Sequence, residues 1–150
     1  MAEIKPNYDT KRKKLAEVIP LAAPFTVYIE QTKYCNFKCF YCIHSTRDEA
    51  GGEFRALGHR EQHMDKAFFE KIIRELKEFP HDGIKRIVFS GLGEPLMNPH
   101  LPEYIRMVVE AGIAGRVEII TNGLLLTPEK SRALVTAGIT NINISVQGLD

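Results

Sequence analysis

The chain has no tryptophan, no surplus of charge of either sign, no apolar run as long as a membrane span, and only three cysteines. Each scarcity removes a class of protein. The 20 basic side chains stand against 19 acidic ones, a net charge of +1. That balance argues against a strongly basic nucleic-acid binder and against a charge-extended disordered chain. A membrane helix needs roughly 20 consecutive apolar residues, so no membrane association is expected. Met1–Lys14 is charged and lacks the apolar core of a signal peptide. Clustered, unpaired cysteines without an export signal fit a reducing cytoplasm. What remains is a chain of 150 residues, 44% hydrophobic, enough for one domain with a sizeable core.

All three cysteines fall inside Tyr34-Cys35-Asn36-Phe37-Lys38-Cys39-Phe40-Tyr41-Cys42, spaced C-x3-C-x2-C. Thiolates that close in sequence suit one soft metal centre. A structural zinc or an electron-transfer cluster normally takes four protein ligands. Three cysteines leave one metal position open for a small molecule. Two other readings use the same residues. Offsets of four and seven place the cysteines on one helical face, where they would simply be buried. His44 could complete a Cys3His zinc site, although C-x-H is a tight reach.

The rest of the chain reads as alternating strands and helices. Lys11-Arg12-Lys13-Lys14, followed by Leu15, Val18 and Ile19, suggests the solvated face of a helix in an N-terminal extension, residues 1–24; a dock for an acidic partner or RNA is the other reading. Phe25–Ile29 is β-branched and aromatic and predicts a first strand. Thr46–His63 has three glycines and no apolar period, which predicts a long loop; His44, His59 and His63 in or near it are expected to be solvated. Asp65 is a helix cap, and Phe68, Phe69, Ile72, Ile73, Leu76 and Phe79 form an apolar face that core packing explains. Ile84–Phe89 predicts a buried parallel strand. Pro102 opens a second helix that buries Ile105, Val108 and Val109 before Gly112. Val117–Ile120 is a third strand. Thr127 and Pro128 open a third helix closed by Gly138. Ile142, Ile144 and Val146 alternate with Asn143, Ser145 and Gln147 as a fourth strand, whose polar positions share one face, the expected barrel interior.

Strands alternating with helices imply a parallel sheet with right-handed crossovers. In a βα barrel, reactive groups gather at the C-terminal ends of the strands. Here the cysteine loop follows strand 1, Gly93-Glu94-Pro95 follows strand 2, Thr121-Asn122-Gly123 follows strand 3, and Ser145 lies at the end of strand 4. All fall on one rim. A zinc knuckle would not require that.

The C-x3-C-x2-C spacing with aromatic Tyr41 before the last cysteine resembles the cluster loop of radical SAM enzymes. The resemblance covers Thr26 to Gly148 and implies an α/β fold, a partial (β/α) barrel of about four parallel strands with helices outside. It implies that Cys35, Cys39 and Cys42 hold a [4Fe–4S] cluster whose fourth iron is chelated by S-adenosylmethionine (SAM). An electron from reduced flavodoxin or ferredoxin would then cleave SAM to a 5′-deoxyadenosyl radical, which takes a hydrogen atom from a substrate. Gly93-Glu94-Pro95 is similar to the segment that meets the methionyl amino group, with Leu92 standing where the family has a first glycine. Tyr41 matches the aromatic residue near the adenine, and the alternative is packing under the cluster loop. Asn122 and Ser145 match polar positions lining the SAM or substrate pocket, and each could equally be a strand-end hydrogen-bonding residue.

Ser145-Val146-Gln147-Gly148 is similar to a strand-4 segment of relatives that carry extra C-terminal cluster domains, with Gln147 replacing an aspartate. That leans toward a peptide or protein substrate. The family usually has six βα units, so residues 25–150 are expected to be a core truncated after strand 4. The competing readings are a zinc-binding interaction module on Cys35, Cys39, Cys42 and His44, and an inactive fragment of a radical SAM enzyme.

Overall fold

The computed structural model describes residues 14–42, 61–80 and 83–147. His44, His59, Lys11–Lys13 and Gly148, and most of the glycine-containing loop, lie outside them.

Four strands are joined in chain order: β1 (Thr26–Ile29), β2 (Arg86–Phe89), β3 (Arg116–Thr121) and β4 (Asn141–Ile144). Every neighbouring pair is parallel. Helices α1 (Lys66–Leu76), α2 (Leu101–Ala111) and α3 (Pro128–Thr136) form the crossovers. A sequential strand order with crossovers of one hand puts all helices on one side and curls the sheet the other way, which is how a barrel begins.

Alternation along the strands divides the two faces. Ile87, Phe89, Val117 and Ile119 are at most 2% exposed and share the core with Phe69 and Ile73 of α1, Tyr104, Ile105 and Val108 of α2, and Leu134 of α3. Val88, Glu118 and Asn143 occupy the opposite, inner face. Glu118 is buried there between Arg116 (2.7 Å) and Arg86 (3.9 Å). The Asn143 amide lies 3.4 Å from the same carboxylate, so Asn143 is inward as expected. Ser145, Val146 and Gln147 follow the end of β4 and are exposed; that short strand pairs only with β3 among the described residues.

The helix signals are realised in hydrogen bonds. Asp65 accepts from the Phe68 N–H at 2.8 Å, and Thr127 accepts from the Lys130 N–H at 3.2 Å. Gly112 (φ 61°) and Gly138 (φ 93°) take the left-handed conformation that ends α2 and α3, which explains the matching Ala-Gly-Ile sequences there. Some apolar residues are not where periodicity placed them. Phe68, Phe79 and Val109 are exposed. The apolar stripe of α1 is wider than its contact with a sheet edge, and Val109 turns outward over Gly138. Residues Leu15–Glu17 form a single 3-10 turn rather than a helix, while Ala23 packs into the core against Gly83, so the packed unit takes in the end of the extension.

A stacked pair ties α1 to α2: the rings of Phe69 and Tyr104 lie 4.2 Å apart and nearly parallel. The Tyr104 hydroxyl donates to the Met64 carbonyl at 2.7 Å. Tyr104→Phe should keep the stack and lose that bond, costing about 1 kcal/mol in urea unfolding. No loss would show that water replaces the hydroxyl.

Candidate metal centre

The cysteine loop leaves β1 through Gln31 and Thr32, both buried. It is fixed on one side by the segment before α1: the Lys33 N–H donates to the Gln62 carbonyl and the Met64 N–H to the Gln31 carbonyl, each at 2.9 Å. Between them, the Thr32 hydroxyl meets His63 Nδ1 at 2.8 Å, and the His63 ring tilts against Tyr34 with centroids 4.7 Å apart. Burial pushes the His63 pKa down, and nearby His100 adds to the shift.

On the other side stands the strand-2 segment. The Glu94 N–H donates to the Tyr34 carbonyl at 2.8 Å. Gly93 must be glycine for steric reasons, since an added Cβ would run into the Thr32 carbonyl and lie within 2.9 Å of the Tyr34 carbonyl oxygen. The loop backbone rests directly on Gly93.

Glu94 is 3% exposed, and its carboxylate is engaged by the protein. Oε1 accepts from the Thr121 hydroxyl (2.6 Å) and the Leu96 N–H (3.0 Å), and Oε2 accepts from the Asn122 N–H (2.8 Å). One side chain thus pins the end of β2 to the end of β3. Asn122 extends the tie, its amide donating to Asn36 Oδ1 in the cysteine loop at 2.9 Å. Ser145 joins through its backbone, donating to the Thr121 carbonyl at 2.8 Å. Glu94→Gln would set an NH2 group against one of the three donors, so a loss of about 2 kcal/mol is expected in thermal or urea unfolding. Wild-type stability in that variant would mean the carboxylate network is dispensable.

The three cysteines are half-buried and form no disulfide. Burial pushes the Cys35 thiol up, and the Glu94 carboxylate and the charges of Cys39 and Cys42 add to it, while a hydrogen bond from the Phe37 backbone opposes them. Cys35 therefore senses the other two sulfurs. Among the described residues, no three Cys, His, Asp or Glu side chains converge as ligands of a single ion would. A cubane cluster does not ask them to, because each thiolate takes a different corner iron. Tyr41 is 56% exposed, edge-to-face with Phe40, and its hydroxyl is pushed up by a hydrogen bond to Cys39. It is not packed beneath the loop.

The structure thus brings Cys35, Gly93, Glu94 and Asn122 together on one rim and leaves Tyr41 and Ser145 on its exposed margin. Sequence reasoning put Thr121 on the rim without a role and missed Asn36 and Thr32; the three bind the rim into one unit. An asparagine and two threonines beside motif residues were the available signal, but their partners are 86, 27 and 31 residues away.

Residues 29–150 match the family model "Radical SAM superfamily". The chain belongs to that superfamily. It is 32% identical over 123 residues to the tungsten-containing aldehyde ferredoxin oxidoreductase cofactor-modifying protein of Pyrococcus furiosus, covering 82% of this chain and 31% of that one. It is also 32% identical over 125 residues to the PqqA peptide cyclase of Rhodopseudomonas palustris, covering 83% of this chain and 29% of that one. The crystal structure of BtrN in complex with AdoMet and 2-DOIA superposes with a TM-score of 0.68 at 25% identity, over 85% of this chain and 48% of that one. The partial (β/α) barrel of the radical SAM type is thereby established for this domain. The chain spans about a third of the length of these curated relatives. No helix among the described residues is long and apolar enough to cross a membrane.

Proposed function

We propose that this domain binds a [4Fe–4S] cluster through Cys35, Cys39 and Cys42 and holds SAM beside it for radical chemistry on a substrate. The observation that supports this most directly is the hydrogen-bonded rim, in which the cysteine loop, the Gly93-Glu94 segment and Asn122 are tied together. The residues fit the group: three half-buried cysteines without a disulfide on one loop, Cys35 within electrostatic reach of the other two, and a backbone that seats the loop on Gly93. When bound, the cluster supplies the electron that breaks the sulfonium C–S bond of SAM, giving methionine and a 5′-deoxyadenosyl radical that takes a hydrogen atom from substrate.

The chain's own residues bind and orient. The backbone at Gly93 offers polar groups to the methionyl ammonium, and Glu94 holds that backbone in place. In this reading Asn122 and Ser145 line the SAM or substrate pocket, and Tyr41 approaches the adenine. The half-buried setting of the thiols limits water around the cluster. The electron comes from reduced flavodoxin or ferredoxin in a reducing cytoplasm.

The substrate class this reading favours is a peptide or protein, from the Ser145-Val146-Gln147-Gly148 pattern and the peptide-cyclase relative. The test is anaerobic incubation of the reconstituted protein with SAM and dithionite. Formation of 5′-deoxyadenosine and methionine is expected, with deuterium appearing in 5′-deoxyadenosine when deuterated peptides are present. A loaded cluster that leaves SAM intact would overturn the reading.

A further inference from the structure

Asn36 directly follows Cys35, and its side chain has a forced orientation. Asn122 Oδ1 accepts from the Leu124 N–H at 3.0 Å, so the arm of Asn122 turned toward the cysteine loop must be its NH2. That NH2 donates to Asn36 at 2.9 Å, which makes the facing atom of Asn36 its oxygen. The Asn36 Nδ2 group is thereby fixed on the opposite arm of a planar amide. It is buried from solvent and has no hydrogen-bond partner among the described residues. An orphaned buried donor costs about 1–3 kcal/mol. Such a cost is retained where the acceptor is a group that binds later.

Asn36 lies on the cysteine loop itself, next to Cys35 and between it and Cys39, so the acceptor sought is one that arrives with that loop's ligand. It must also be rich in electrons. Cluster sulfur meets both conditions. We propose that Asn36 Nδ2 donates a hydrogen bond to a sulfur of the bound cluster, thiolate or sulfide, and that Asn122 is the residue that aims it. Hydrogen bonds to the sulfurs favour the more negative, reduced cluster and so raise its potential. Asn36 is then a positioning residue that sets how readily the cluster accepts its electron. This rests on the cluster assignment above.

The experiment is a redox titration of the reconstituted full chain without SAM, followed by electron paramagnetic resonance. Wild type is compared with Asn36→Asp, which keeps the oxygen that Asn122 needs and removes the donor, and with Asn36→Leu. Both variants should shift the midpoint to lower potential. At a fixed applied potential near the wild-type midpoint, the reduced-to-oxidised ratio of Asn36→Leu should fall several-fold, because the bond is stronger to the reduced cluster than to the oxidised one.

A second measurement needs no variant. Wild type labelled with 15N in its asparagine amides should show a 15N coupling to the reduced cluster in pulsed resonance. Unshifted midpoints, or no 15N coupling, would overturn the proposal. So would unchanged potentials accompanied by weakened SAM binding, which would assign the donor to SAM. Failure of wild type to form any cluster would instead sink the cluster assignment.

Discussion

Cys39→Ala is expected to reduce iron and sulfide in the reconstituted protein from about four of each per chain to below about one. Two thiolates cannot hold three corners of a cubane, and the sequence has no fourth cysteine to replace the third. Cys35→Ala and Cys42→Ala should behave alike. The apo-protein should be little affected, because the three thiols are only half-buried and stand outside the hydrophobic core. Unfolding free energy should change by no more than about 1 kcal/mol. Loss of the cluster with the fold intact separates a metal-binding role from a packing role. A variant that kept its full iron content would remove Cys39 from the site.

Gly93→Ala carries the largest expected effect on the fold itself. The added methyl meets backbone, not a flexible side chain: the Thr32 carbonyl and, within 2.9 Å, the Tyr34 carbonyl oxygen. Relief requires the cysteine loop to lift off the strand-2 segment. That would also stretch the 2.8 Å bond from Glu94 N–H to the Tyr34 carbonyl. A cost of about 3 kcal/mol or more is expected, with melting lowered by about 6–12 °C for a domain of this size. Cluster yield should fall with it. Gly91→Ala provides the contrast. There the new methyl meets only the Glu30 side chain, which can swing away at the loss of its 2.6 Å bond to the Leu92 N–H, so a cost of about 1 kcal/mol is expected. Equal effects at the two positions would contradict the backbone contact.

The two glycines also show what can be read from sequence and what cannot. Periodicity and caps were legible. Asp65, Thr127, Gly112 and Gly138 signal helix ends through local chemistry, and the apolar run Ile87–Phe89 signals a strand buried on both faces. The order of elements then required one polar rim. The work of Glu94 was not legible. A motif glutamate suggests a group aimed at a ligand, whereas this carboxylate is taken up by Thr121, Leu96 and Asn122. Nothing local to Glu94 reveals donors 27 and 28 residues further on. Asn36 was hidden for the same reason, since its orientation is set across a span of 86 residues. Phe68 was misplaced because an apolar period cannot tell a helix in mid-sheet from one at an edge; it lines a surface cavity with Glu30, Thr32 and His63 instead of the core.

The Thr32–His63 contact and the Glu94 network have a shared consequence. Both fasten the start of the cysteine loop, from Thr32 to Asn36, to the barrel while the thiols stay half-exposed for loading. Binding then need not organise the whole loop, which reduces the ordering cost charged against cluster affinity.

The central claim is that three thiolates hold a four-iron cluster with one iron left for SAM. Anaerobic reconstitution with iron and sulfide, metal and sulfide counts per chain, and the reduced electron paramagnetic resonance spectrum with and without SAM test it together. The account predicts about four irons and four sulfides per chain and a spectrum that changes when SAM is added. One zinc without sulfide, or a cluster whose spectrum ignores SAM, would contradict it.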